Sequence, residues 1–258
     1  MELNEAQNAK ISAIIIPGTD ITSSQKAVEI AHSRPGLYAA IGIHPHHAFE
    51  IDPEHADERI NQLIADLTVM ITDPAVVAVG EVGLDKHVYE QTKYADYAIT
   101  SRFIEVQTAL LQKQIELALL HRKSLILHNR ETKKEILTLI DRLWKPALEH
   151  RSVFHCCEPD TDLLAFARAH HMYVGIDGDV TYGDKDDFIK RVPLEMLVLE
   201  TDSPFLLPEP LKSQKKYPNG PKNIPLIAQA VAHLKGVSIE EVARITTQNA
   251  QELFQLPH

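Results

Sequence analysis

The sequence predicts an α/β protein built on parallel strands, either an open doubly wound sheet or a closed (β/α)8 barrel. Two observations carry that expectation. Short apolar runs alternate with helical stretches along all 258 residues, and ionisable residues collect at the C-terminal ends of five of those runs. Strands covered on both faces read as continuous apolar runs, which is how parallel strands are written in sequence.

The apolar runs are SAIIIPG at 12–18, LYAAIGIHP at 37–45, VVAVGEVG at 76–83, SLILHN at 124–129, SVFHC at 152–156, MYVGIDG at 172–178 and MLVLETD at 196–202. Between them lie stretches with apolar residues at helical spacing: 23–33, opened by a Ser cap, 54–71, a long amphipathic 101–121, 131–144, 160–171, 222–236 and 238–254. No internal repeat, low-complexity tract or linker interrupts the alternation, so residues 1–258 are expected to form one domain. No strand is followed by a G-x-G-x-x-G or G-x-x-x-x-G-K turn, which excludes the usual nucleotide-binding folds.

Composition narrows the functional classes. With 44% hydrophobic and 24% charged residues the chain can bury a substantial core. No run approaches the roughly 18 apolar residues of a membrane span, and the polar start MELNEAQNAK has no signal-peptide core. A soluble, cytoplasmic protein without membrane attachment is expected, with homo-oligomerisation left open. The only cysteines, Cys156 and Cys157, are adjacent, a spacing that fits neither a zinc motif nor an ordinary disulfide. A net charge of −10 argues against generic electrostatic attachment to nucleic acid. A phosphate ligand would need a local positive centre.

The strand ends supply the chemistry. His44 and His46 follow the second run, Glu81 and Asp85 the third, His128 and Arg130 the fourth, His155 the fifth, and Glu200 and Asp202 the seventh. In parallel-sheet folds that edge is where sites are built. Imidazoles and carboxylates arriving from several strands form the ligand set of a hydrolytic divalent-metal centre, suited to zinc, manganese or iron, or to magnesium where oxygen dominates. A single histidine at a strand end reads more simply as a hydrogen-bonded side chain. Five such tips together favour a site.

The motifs GIHPHHA at 42–48, GEVGLD at 80–85, ILHNRE at 126–131, HC at 155–156 and LETDSPF at 199–205, in this order, resemble the TatD family of metal-dependent deoxyribonucleases. The resemblance extends over essentially the whole chain, including the closing stretch 236–254. It implies a TIM (β/α)8-type barrel and hydrolysis of phosphodiester bonds in DNA, with single strands or ends preferred over sequence-specific duplex. It further implies Glu81, His128, His155 and Asp202 as metal ligands, with Glu81 and Asp202 catalytic and Asp202 orienting or deprotonating the attacking water. His44 and His46 match substrate-facing positions. Arg130 is a candidate for holding a phosphate, with pairing to a nearby acid as the plainer alternative. His47 is expected in solvent, Asp85 in fixing the turn after its strand, and Glu200 either supporting a ligand or closing a salt bridge.

Two departures qualify the resemblance. The family opens with a strand ending in H-x-H, which this chain does not show, so the first barrel strand is expected to be missing. The stretch HCCEP at 155–159 differs from the family's His-Cys-Phe-Ser-Gly. The remaining ligands point to one tightly held Mg, Mn or Zn ion and a second that is weak or absent. Two other readings remain open: a related hydrolase acting on a small-molecule or aminoacyl-RNA ester or amide, and a non-catalytic nucleic-acid-binding pseudoenzyme. Lys212, Lys215, Lys216 and Lys222 lie just beyond the seventh run, in a loop that either touches the phosphate backbone or is simply solvated.

Overall fold

The computed structural model describes residues 2–90, 92, 94 and 97–257. Along the chain the elements run α1 (Glu2–Asn8), β1 (Ile14–Pro17), α2 (Ile21–Ala31), β2 (Leu37–Ile41), α3 (Ala56–Met70), β3 (Val76–Asp85), α4 (Ser101–His121), β4 (Ser124–Arg130), α5 (Lys133–Leu143), β5 (Ser152–Phe154), α6 (Thr161–Ala169), β6 (Tyr173–Ile176), α7 (Asp186–Arg191), β7 (Leu197–Leu199), α8 (Ile224–Lys235) and α9 (Ile239–Phe254). Each of the seven predicted runs coincides with one of these strands, with β3 extending two residues and β4 one residue beyond its run. The chain divides into two compact units, Ile15–Ser152 and the paired segments Met1–Ile14 and Val153–His258.

In the first unit β1 neighbours β2, β2 runs parallel to β3 with Ala40 opposite Ala78, and β3 runs parallel to β4 with Gly83 opposite His128. Ala39, Ile41, Val79, Val82, Leu84, Leu125 and Leu127 are buried, as are Leu110, Leu111, Ile115 and Ala118 of α4. This is why the strands read as unbroken apolar runs. The predicted helix at 101–121 forms over those residues, begun by Thr100, whose hydroxyl accepts the Phe103 N–H at 3.1 Å.

Two polar residues break the apolar face of α4, and both serve strand ends. Gln114, 1% exposed, accepts the Ile43 N–H at 2.7 Å and donates to the Ile43 carbonyl at 3.1 Å. Two turns earlier, Gln107 treats Asp85 in the same way, at 2.9 and 3.0 Å. Where β2 and β3 run out of ladder partners, these amides satisfy backbone groups that would otherwise be buried and unpaired.

Helix α2 begins at Ile21, two residues before the predicted Ser cap. Asp20 is the cap: its carboxylate accepts from Ser23 N at 2.7 Å while Ser23 Oγ accepts from Asp20 N at 2.9 Å. Ser23 is therefore the third residue of the helix, closing a capping box that Asp20 opens.

In the second unit β5, β6 and β7 run parallel, with Phe154 opposite Val174 and Gly175 opposite Val198. Asn249 of α9 donates to the carbonyls of Leu194 and Leu197 at 2.9 and 2.7 Å, pinning the approach to β7. Two helices escape sequence prediction because each is too short for periodicity to show. Helix α1 packs its buried Ala6 close to a 3-10 turn at Pro221–Asn223, and Glu5 pairs with Lys222 of that turn. Helix α7 places Asp186 and Asp187 in its first turn and Lys190 and Arg191 in its last, matching the helix dipole.

The loop after β7 is held from within. Asn219, 2% exposed, donates to the carbonyls of Thr201 and Phe205, each at 2.7 Å, and accepts from Gly220 N and Asn223 Nδ2, each at 2.8 Å. The Lys-rich loop is thus not uniformly solvated. Lys215 and Lys216 are exposed, Lys212 lies over the Tyr182 ring at 3.1 Å from its centroid, and Lys222 pairs with Glu5.

Replacing Gln114 with Leu keeps the side-chain volume but leaves both Ile43 backbone groups buried without a partner. A loss of about 2–3 kcal/mol in unfolding free energy is expected by urea denaturation.

Candidate active site

In the first unit the chemistry gathers around His128. A register shift in the β3–β4 ladder between Val79 and Val82 takes Glu81 out of strand pairing, and Glu81 N instead donates to the Gly18 carbonyl at 3.1 Å. Such bulges re-aim a side chain. Glu81 Oε1 lies 2.8 Å from His128 Nδ1 and 3.6 Å from His44 Nε2. The other His128 nitrogen, Nε2, lies 3.0 Å from Asp85 Oδ2. Gly83 makes room for this arrangement: a Cβ there would lie 1.9 Å from the His128 carbonyl oxygen.

The two imidazoles of this group are tuned apart. Burial, reinforced by the positive charge of His128, lowers His44 to about 3 and keeps it neutral. Burial also disfavours a charged His128, but hydrogen bonds to Asp85 and Glu81 outweigh it and raise its pKa. Asp85 is fully buried. Its burial favours the neutral acid, yet its bonds and charge interaction with His128, with further help from the His87 N–H and the Tyr89 hydroxyl, hold its pKa below the usual carboxylate value.

Asp85 therefore does more than sequence reasoning assigned to it. Oδ1 fixes the turn by accepting His87 N at 2.7 Å, as expected, while Oδ2 engages both His128 and the Tyr89 hydroxyl, the latter at 2.8 Å. The available signal was an acid closing an apolar strand beside a histidine-tipped one. Arg130, at the end of β4, meets Tyr89 rather than an acid: Nη1 donates to Tyr89 Oη at 3.3 Å and the guanidinium carbon sits 5.2 Å from the ring centroid. His46 stacks on the other partner of that ring system, 5.1 Å from Tyr89 at 14°, and its Nε2 lies 3.2 Å from Thr92 Oγ1. His47, expected in solvent, has a side chain only 16% exposed and lies 3.0 Å from the Tyr94 hydroxyl.

In the second unit Glu200 clamps the end of β5. Oε2 lies 3.0 Å from His155 Nδ1, and Oε1 accepts the Cys156 N–H at 2.6 Å. This contact is compatible with both roles the sequence left open for Glu200, since a carboxylate on an imidazole both orients it and can pair with it. Gly175 permits it, since a Cβ there would lie 2.2 Å from Glu200 Oε1. Ligand atoms of His155, Cys156 and Asp202 lie within 4.8 Å of one another. Burial, and then the charge of Glu200, push the Cys156 thiol well up, so the thiol form prevails. Asp202 adopts a left-handed backbone conformation, φ +47°, in the loop that Asn219 ties down.

The tip of β6 also ends in an acid that the sequence reading passed over. Asp177 and Asp179 flank Lys185, which lies 2.7 Å from Asp179 Oδ2 and 3.9 Å from Asp177 Oδ2. Burial and then the Asp177 charge push Asp179 up to about 6 against the pull of Lys185.

The donors suit a divalent ion. Asp85 engages His128 Nε2 and Glu200 engages His155 Nδ1, the kind of contact by which metal-ligating imidazoles are oriented. Parallel α/β units with histidine and carboxylate groups at their strand ends define a metal-dependent hydrolase. The family model for TatD related DNase matches residues 1–255, and the chain belongs to the TatD family. It is 32% identical over 263 residues to a 3'-5' ssDNA/RNA exonuclease TatD of Erwinia billingiae, covering 99% of this chain and 92% of that protein. It is 28% identical over 257 residues to an uncharacterized metal-dependent hydrolase of Bacillus subtilis, covering 98% and 91%. Among solved structures, a TatD homologue from Escherichia coli K12 matches with a TM-score of 0.82 and 27% identity, covering 99% of this chain and 91% of that one. The fold is thus of the TIM-barrel type that the resemblance implied. No helix among the described residues is long and apolar enough to cross a membrane.

Two outcomes follow from these contacts. Glu200→Ala is expected to weaken Mn2+ binding about 10–100-fold in calorimetric titration, because His155 loses the acid that orients it. The Asp179 carboxyl carbon is expected to titrate by NMR with a midpoint at about 6. Since its folded pKa is raised, its contribution to stability is full below the ordinary carboxylate range and is lost as the pH rises through that midpoint.

Proposed function

We propose that this TatD-family hydrolase cleaves phosphodiester bonds at the ends of single-stranded nucleic acid, DNA foremost, with Glu81, His128, His155 and Asp202 as metal ligands. The observation that carries the reading is that two histidines at separate strand ends are each held by an acid from the end of another strand. The nucleic-acid substrate is supported by relatives named 3'-5' ssDNA/RNA exonuclease, one of them 32% identical to this chain. A bound divalent ion supplies positive charge for the phosphate and lowers the pKa of its water toward about 7.

The chain's own residues do the rest. Asp85 and Glu200 fix the orientation of His128 and His155. Glu81, released from strand pairing by the bulge, presents its carboxylate beside His128. Asp202 orients the attacking water and accepts its proton. Arg130 holds a substrate phosphate, with neutral His44 and the stacked His46 facing the same ligand. The tip of β1 is occupied by Gly18, Thr19 and Asp20, and Asp20 is engaged in capping α2. No histidine pair stands there, so one ion is held tightly and a second only weakly.

After chelation, reconstitution with Mn2+ and removal of excess, elemental analysis is expected to find one ion per chain. Two would overturn the weak second site, and none would overturn the ligand assignment. Asp202→Asn is expected to lower kcat on an end-labelled single-stranded oligonucleotide by about 100-fold or more. Its melting temperature should stay close to that of the parent, because Asn tolerates the left-handed conformation at this position. Unchanged kcat would remove Asp202 from the catalytic set.

A further inference from the structure

A chain of contacts connects the phosphate-binding candidate to the metal-ligand candidate within the first unit. Arg130 Nη1 donates to Tyr89 Oη at 3.3 Å. Tyr89 donates its hydroxyl proton to Asp85 Oδ2 at 2.8 Å. That same oxygen lies 3.0 Å from His128 Nε2, and His128 Nδ1 lies 2.8 Å from Glu81 Oε1. The Tyr89 hydroxyl thus touches both Arg130 and Asp85.

From this junction we infer that Tyr89 is a positioning residue that couples phosphate held at Arg130 to the hold on the metal ion. The inference rests on the functional reading given above. A tyrosine hydroxyl that accepts from a guanidinium is a stronger donor, since hydrogen bonds in series polarise one another. Its proton therefore binds Asp85 Oδ2 more firmly while Arg130 faces it. When a phosphate draws the Arg130 N–H groups to itself, the Tyr89 bond to Asp85 slackens and Asp85 Oδ2 turns more fully to His128 Nε2–H. An imidazole whose distal N–H is better bonded is a more basic ligand. Phosphate at Arg130 thus tightens the ion, and by linkage the ion tightens phosphate.

The ring is positioned independently of its hydroxyl. His46 stacks on it at 5.1 Å, and His87 meets it edge-on at 4.8 Å and 82°. Tyr89→Phe therefore removes only the oxygen and leaves the packing. Tyr89→Leu removes both and reports what packing alone contributes.

The test compares the wild type, Tyr89→Phe and Tyr89→Leu in calorimetric titration with Mn2+, each with and without thymidine 5'-monophosphate as the phosphate probe. Steady-state cleavage of a single-stranded oligonucleotide supplies KM and kcat. In the wild type the nucleotide is expected to tighten Mn2+ several-fold, and Tyr89→Phe is expected to abolish that tightening by holding Mn2+ without nucleotide about as firmly as the wild type does with it, while lowering KM several-fold because Arg130 no longer has to leave Tyr89 to meet the phosphate. Its kcat and melting temperature should stay near the wild-type values. Tightening that persists in Tyr89→Phe and is lost only in Tyr89→Leu would overturn the coupling and leave Tyr89 as packing. A Tyr89→Phe variant that alters KM without altering the nucleotide's effect on Mn2+ would overturn it equally. A wild type that binds no Mn2+ would overturn the underlying metal reading, an outcome distinct from either.

Discussion

Backbone groups at the end of a buried strand are the constraint on which the rest of this structure depends. A parallel ladder satisfies N–H and C=O groups only while both neighbours continue, and functional side chains stand where the neighbours stop. Here side-chain amides take over at those points. Gln114 serves Ile43, Gln107 serves Asp85, and Asn219 serves Thr201 and Phe205. Each amide offers a donor and an acceptor from one rigid plane, so it both pairs the backbone and fixes its direction. The residues that follow, His44, the Asp85 turn and Asp202, inherit their positions from these clamps.

On that scaffold electrostatics differentiates groups of the same type. His44 and His128 have ring centroids 4.5 Å apart, yet one is driven toward the neutral form and the other toward the charged form. Acid contacts make the difference: His128 has Glu81 at 2.8 Å and Asp85 at 3.0 Å, whereas the nearest approach of His44 to Glu81 is 3.6 Å. Two charged imidazoles at this separation would repel, so charging one helps keep the other neutral. The neutral ring can offer a lone pair to a ligand while its partner is held by two carboxylates.

The strands and the longest helix were legible because burial on two faces and helical spacing both leave periodic marks. The strand-end histidines and acids were legible as a set for the same reason, since each closes such a run. What escaped depends on contacts between segments far apart in sequence. Asp85 looks like a turn residue, and half of it is; the oxygen that meets His128 acts across 43 positions of sequence. Asn219 lies in a Pro-Asn-Gly stretch that reads as an exposed turn, but it is buried against the Asp202 loop. His47 looked solvent-bound because Tyr94, which covers it, lies 47 residues away. The start of α2 was misplaced because both Asp20 and Ser23 are good caps, and only their reciprocal bonding shows which comes first.

Gly175 carries a consequence of another kind. It sits inside β6, where a glycine costs strand stability, and its lack of a side chain leaves the space that Glu200 occupies. The size limit at this position is therefore written by a carboxylate on the adjacent strand. Gly83 instead makes way for the backbone of His128 on β4, whose carbonyl oxygen would lie 1.9 Å from a Cβ there. At Gly175 a gap in one strand is thus the imprint of chemistry on the next, and the sequence records a functional side chain twice: once as the residue itself, and once as the absence that makes way for it.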